Sequence, residues 1–435
     1  MFKAMNSIWN PVLDILEAIW PLLAFMVLFS LFKSTWMFWR QEIFKKDQKW
    51  VFLEIKIPRE ITRSPLAMEQ VLTTLHQQRN APNDLREWYW DGEVTRWLCL
   101  ELVSFGGETH FYIRCPVKRR GLVEAAFFAY YPDLEIVDAD DYVDKLPISV
   151  RETENQGYDM WGTEIILYKP EMYPIRSYKD FESPDEEKQF DPMSGFMEVL
   201  GKLKKEEIVC IQYLLAPADY QWHKKWDKLL EKLKEPRVKK EEAPAAGGDQ
   251  FVKAFSKFIA RSPGETDVLE QVEKNLSKPA FDTTIRFLYF SPKAIFYDSY
   301  ARRGLAGAFN QYAAQDLNSF GHNYPVATRT KFWQFPYFFP DRRRIYRQQR
   351  LLSMYRNRKN PWKGFFHKLL TFHIFSGYFK SKRITLNAES LASIYHPPTA
   401  SVLTAPHIKR VESRKAGPPA GMAIYGDEKN LEKYM

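Results

Sequence analysis

The alternation of apolar and polar residues changes character several times along the chain, and each change marks an element. "AIWPLLAFMVLFSLFKSTWMFW", residues Ala18 to Trp39, is apolar on every side and carries one charge, Lys33. Its length is what a hydrocarbon core requires. Trp20 at one end and Trp36 with Trp39 at the other sit where interfacial aromatics belong. Pro21 falls in the first turn of the stretch, where a missing N–H costs least. A cleaved signal peptide would want basic residues before and small residues after; here Asp14 and Glu17 precede and bulky side chains follow. An interfacial helix would want a polar face, which is absent. The pattern therefore predicts a single uncleaved transmembrane helix. One Lys/Arg precedes it and six lie between Arg40 and Glu60. That asymmetry places the N-terminus outside and the body in the cytoplasm of an inner membrane.

Past the helix the period drops to two. "WVFLEIKIP" puts Val51, Leu53, Ile55 and Ile57 on one face of a strand. Ser64-Pro65 opens a helix with Met68, Val71, Leu72 and Leu75 at helical spacing. A hairpin follows over Trp97–Pro116, turning at Gly106-Gly107 and pairing Leu100 with Ile113 and Leu102 with Phe111. "GLVEAAFFAYYP" is helical and "LEIVDADDYV" closes with a strand. Strand, helix, hairpin, helix, strand is the order of a ferredoxin-like (split βαβ) unit. A second α+β unit is expected over 151–330. Its strands are "EEIVCIQYLLAP" and "TTIRFLYFSP", and its helices include one through Trp222, Trp226, Leu229, Leu230 and Leu233. A polar Pro/Gly/Ala-rich loop interrupts it at 235–250. The fold class is α+β, divided into an anchor (1–45), a ferredoxin-like domain (46–150), the second unit (151–330), a basic aromatic helical segment (331–385) and an extended tail (386–435).

Composition alters this picture in one place. The net charge is +9, yet residues 331–383 hold fourteen Lys/Arg against one acid, Asp341, so the rest of the chain is net negative. Arg342, Arg343, Arg344, Arg347, Arg350, Arg356, Arg358 and Lys359 are interleaved with aromatics in this stretch. Three readings are open. The cations meet anionic lipid headgroups, or they hold single-stranded nucleic acid such as DNA with bases on the rings, or the segment is a structured, partly buried helical hairpin whose basic face is merely solvated.

Chemistry is sparse. No G-x-x-x-x-G-K-[ST], G-x-G-x-x-G, H-E-x-x-H or C-x-x-C occurs, and the eight His are scattered. Cys99, Cys115 and Cys210 have no metal or disulfide spacing; on the expected hairpin Cys99 and Cys115 point to opposite faces. No catalytic residue, cofactor or metal is expected, and the chain reads as a non-enzyme.

"LNAESLASIYHPPTASVLTAPHIKRVESRKAGPPAGM" resembles the segment that precedes the motor domain in bacterial type IV secretion coupling proteins, the conjugative-transfer ATPase family. The likeness lies in Leu386-Asn387, Glu389 to Ala392, Tyr395-His396-Pro397-Pro398, Thr404 to Pro406, Ser413-Arg414-Lys415 and Pro418-Pro419. "THFYIRCPVKRRGLVEAAFFAYYPDLEIVDADDY" also looks like the membrane-proximal region of those proteins. The family's nucleotide-binding loop is missing after this segment, so no catalytic residue carries over. The resemblance implies a membrane component of a DNA or protein translocation system that docks a motor ATPase in trans. The docking residues would be Leu386, Leu391, Tyr395, His396, Pro397 and Arg414.

Overall fold

A computed structural model describes residues 2–58, 61, 63–182, 190–234, 263–296, 301–329, 339–361 and 379–399, with side chains from Ile19 onward apart from that of Arg302. One helix, α1 (Phe2–Asp47), leads directly into a large antiparallel sheet. The sheet's first half is built from β1 (Trp50–Lys56), α2 (Leu66–Gln77), β2 (Leu98–Phe105), β3 (Glu108–Pro116), α3 (Arg120–Tyr130) and β4 (Glu135–Asp138). These strands stand in the order β4-β1-β3-β2, and every adjacent pair is antiparallel. Leu100 faces Ile113 and Leu102 faces Phe111, the register expected from the hairpin's apolar alternation.

Past the short α4 (Val150–Asn155), the second half runs β5 (Tyr158–Leu167), α5 (Ser194–Gly201), β6 (Ile208–Pro217), α6 (Asp227–Lys234), α7 (Pro263–Leu276), β7 (Ala280–Pro292), α8 (Ala301–Asn310) and β8 (Phe320–His322). Its strand order is β6-β7-β5-β8. Read outward from the centre, each half lists its own strands as second, third, first, fourth. The halves are therefore related by an approximate two-fold axis through the β2·β6 pair, which joins them as one antiparallel ladder from Leu98↔Leu215 to Phe105↔Ile208. The sheet has no break at residue 150.

Helices α2, α3, α5 and α8 cover one face. Met68, Val71, Leu72 and Leu75 of α2 pack with Val123 and Phe127 of α3, Phe196 and Leu200 of α5 and Leu305 and Phe309 of α8 over the inward strand residues. After β8 come α9 (Pro340–Arg356), β9 (Ile384–Asn387) and α10 (Ala388–Ile394). The opposite face is closed by α9, whose Leu351, Leu352 and Tyr355 lie on Val103, Met160, Cys210 and Leu288. Gly162 of β5 lets α9 approach, since a Cβ there would sit 2.7 Å from Leu351 Cδ2. All three cysteines are free and buried.

Candidate membrane interface

From Ile19 to Asp47 α1 is long and apolar enough to cross a membrane. Trp20, Leu23, Phe25, Met26, Leu28 and Phe32 are exposed along it. Ala18 belongs to the helix, but its side chain lies outside the described residues. Because α1 starts at Phe2, Pro21 lies in the helix interior and not in a first turn, and it withholds one i→i−4 hydrogen bond.

The far end of the apolar stretch is clamped to the body. Lys33, Trp36 and Arg40 are spaced three and four apart and so share one helix face. That face meets a single π-helical turn, Glu87–Asp91. Trp36 Nε1 donates to the Tyr89 carbonyl at 2.7 Å, Arg40 Nε donates to the Trp90 carbonyl, and the Trp36 and Trp90 rings lie 5.7 Å apart. The Lys33 ammonium stands 5.1 Å from the Tyr89 ring centroid. The turn closes on Gly92, whose φ of +67° suits glycine and whose missing side chain is needed: a Cβ would fall 2.6 Å from the Arg40 carbonyl carbon. Trp39, expected at the interface with Trp36, is half exposed.

The eight cations expected to face lipid or nucleic acid do not form one surface. Arg343, Arg347 and Arg358 are buried, which corrects that expectation for these three. Arg347 donates to the Ala327 carbonyl. Arg358, at φ +47°, donates through Nε and Nη2 to both Glu101 carboxylate oxygens (2.6 and 2.9 Å) and through Nη1 and Nη2 to Asp141 (2.6 and 2.8 Å). Burial opposes its charge, but Glu101 and Asp141 more than offset this and raise its pKa further. Arg356 caps the carbonyls of Val143 and Leu146, Arg344 lies 3.6 Å from Asp159, and the Arg350 guanidinium lies over Phe379. Arg342 and Lys359 are exposed.

The segment expected as an extended docking tail is, in its described part, woven into the core. β9 pairs with β7, and α10 packs on α2. Leu386, Leu391, Tyr395, His396 and Pro397 are all buried, so these five present no surface to a partner. Asn387 caps α10 by accepting from the Ser390 N–H, the local reason the chain turns helical there. The His396 ring donates from Nδ1 to the Ala392 carbonyl at 2.7 Å, and its Nε2 lies 3.0 Å from Asp191 Oδ1. Asp191 also accepts from the N–H groups of Met193 and Thr399. Burial alone would raise its carboxyl, but His396 and these N–H groups bring it down to about 2. Arg414 lies outside the described residues.

The extent of the body matches a known domain. A family model described as "Domain of unknown function (DUF8128)" matches residues 40–408, from the clamp on α1 to beyond α10. The chain belongs to that family. No curated protein matches it.

Across the centre of the DUF8128 domain runs a feature that the sequence reading missed. Glu54, Tyr112, Glu101, Gln212, Arg286 and Glu164 occupy successive register positions on six adjacent strands, all on the α9 face. Gln212 donates to Glu101 at 2.9 Å, and Arg286 donates to the Lys359 carbonyl at 2.6 Å while its Nε stands 3.4 Å from Glu164. The signal was present as a lone charge inside each of "LCLELVSF", "GTEIIL" and "TTIRFLYF". A buried charge of this kind needs a partner, and the partners come from strands far away in sequence.

Proposed function

We propose that this DUF8128 chain is a membrane-anchored, non-catalytic scaffold, its body cytoplasmic and built of two ferredoxin-like units fused edge to edge. The observation that carries the reading is the exposed apolar length of α1, tied to the body by Trp36, Arg40 and Gly92. A helix free to swivel would tether the domain; one clamped in this way also orients it. The repeated strand order supports the paired units, since strand–helix–strand–strand–helix–strand with the first and third strands central is the ferredoxin-like arrangement.

The resemblance to type IV coupling proteins extends the proposal to a DNA or protein translocation system with its motor ATPase in trans. With Leu386 to Pro397 committed to the core, a motor would be engaged by the residues beyond Thr399, Arg414 among them. The nucleic-acid reading has less support, because three of the eight cations it needs are buried. A chain ended after Thr399 keeps β9 and α10, whereas a cut at 386 would remove part of the core. The full chain should enter the detergent phase in Triton X-114 partitioning and co-purify with a type IV motor ATPase; the shortened chain should keep the first property and lose the second. Recovery of the full chain in the aqueous phase overturns the anchor, and equal capture of both chains overturns the docking site.

A further inference from the structure

We infer that residues 85–91 are a second membrane-contacting element, an interfacial collar that inserts Leu85, Trp88 and Trp90 at the boundary between headgroups and acyl chains beside α1. The inference rests on α1 spanning the bilayer. The three side chains are 78, 47 and 64% exposed. Single exposed apolar residues are ordinary; the place of these three is what matters. Their turn is held to α1 at the last turns of the apolar stretch: Trp36 and Arg40 donate to the Tyr89 and Trp90 carbonyls, and Lys33 stands over the Tyr89 ring. Those positions cover about 10 Å of helix, enough to reach across the roughly 5–8 Å interfacial layer on one side of a bilayer. Trp39 stands exposed at the same level. Indole rings, with an apolar body and a polar edge, suit that depth.

The charges fit an interface in which ring insertion leads and lipid charge is secondary. Lys33, Arg40 and the exposed Arg86 supply cations. The carboxylates partly answer within the loop: Glu87 accepts from the Asn83 N–H at 2.8 Å and Asp91 lies 4.0 Å from Arg86, while Asp84 stays exposed at the rim. The collar would fix the depth and tilt of the body, because its backbone and α1 are one clamped unit. Neutral lipid is enough for it to bind.

Spin labels at Leu85→Cys, Trp90→Cys, Phe25→Cys and Lys205→Cys in the full chain, reconstituted in phosphatidylcholine vesicles, test this. The native thiols are buried. Lys205 packs its backbone against the Gly106 turn, at the end of the hairpin away from Pro116, and reports the aqueous limit. Labels at 85 and 90 should favour collisions with oxygen over a water-soluble nickel complex, as at 25 and unlike 205. If 85 and 90 behave like 205 while 25 is shielded, the collar is wrong and the span stands. If 25 also behaves like 205, both fall. Trp90 contacts Trp36, so where its replacement loosens the loop, the nearly uncovered Leu85 decides alone.

Discussion

Along α1 the side chains of Leu23, Phe25 and Phe32 stand exposed, whereas the Arg-rich α9 and the residues just after it bury Arg343, Arg347 and Arg358. One helix is apolar and uncovered; the other is strongly basic and closes a core. The contrast shows that charge density along a sequence reports how many cations there are and not where they point. A guanidinium offers five N–H donors in a fixed fork, so carboxylates and helix-end carbonyls can satisfy it inside a protein. Arg358 does this between Glu101 of β2 and Asp141, and Arg356 between the carbonyls after β4 and the end of α9. The apolar helix has no such option, because only other apolar matter can cover it.

The sharpest way to break that contrast is to compare two arginines of the same segment. Arg358→Ala leaves Glu101 buried without its countercharge and should cost about 3–5 kcal/mol. Arg342→Ala removes an exposed side chain and should stay within about 0.5 kcal/mol. Denaturant unfolding of the detergent-solubilised chain measures both. Equal, small losses would mean that the segment is surface throughout, as its composition suggests.

A smaller effect is expected at Asp191, which ties His396 and Thr399, just after α10, to the loop before α5. Its folded carboxyl is held at about 2 against an ordinary 3.8. Because the folded value is depressed, its contribution is complete above the unfolded value and is lost as pH falls through about 2. It amounts to roughly 2 kcal/mol. The stability gap between wild type and Asp191→Asn should therefore narrow by about that much from pH 6 to pH 2. A gap that does not change with pH would show that the His396–Asp191 contact is not ionic, and would leave the burial of the tail to apolar packing alone.

Local rules made much of the first half legible. Val51 to Ile57 alternate as they do because one side of β1 meets α2 and α3, and Gly106-Gly107 allows a hairpin whose register the apolar positions then fix. The equivalent β5 was not foreseen as a strand: in "YDMWGTEIIL" a glycine and two acids break the alternation, and Gly162 and Glu164 are explained only by α9 and Arg286 on the same face. The same reason hid β9. "ITLN" is four residues long, and it is a strand because β7 offers an edge at Ala280–Thr283. For the candidate interface, the apolar run and Trp36 with Trp39 could be read directly, since membrane thickness sets a length. The clamp could not, because Trp36 and Tyr89 are 53 residues apart in sequence and nothing local specifies their meeting. "WYWDG" was nevertheless a hint, with three aromatics in a row of polar residues ahead of a glycine.

The clamp also supplies the smallest of these effects, and it concerns what holds the exposed helix to a body that the buried arginines hold together. At Gly92 an alanine would pay about 1 kcal/mol for a left-handed backbone, and its methyl would press on Arg40 backbone atoms 2.6–2.8 Å away. The helix cannot yield there, because its own hydrogen bonds fix it, so the loop must lift. Amide exchange across Tyr89–Glu93 should accelerate about fivefold or more, while β2 and β6 keep their protection. Gly195→Ala is the control: it has no positive φ, its nearest neighbour is the flexible Gln311 side chain at 3.4 Å, and it should leave exchange near Tyr89 unchanged. If Gly92→Ala exchanges like wild type, α1 is a tether without orientation, and the exposed helix and the buried one would then differ in how firmly the body holds them as well as in composition.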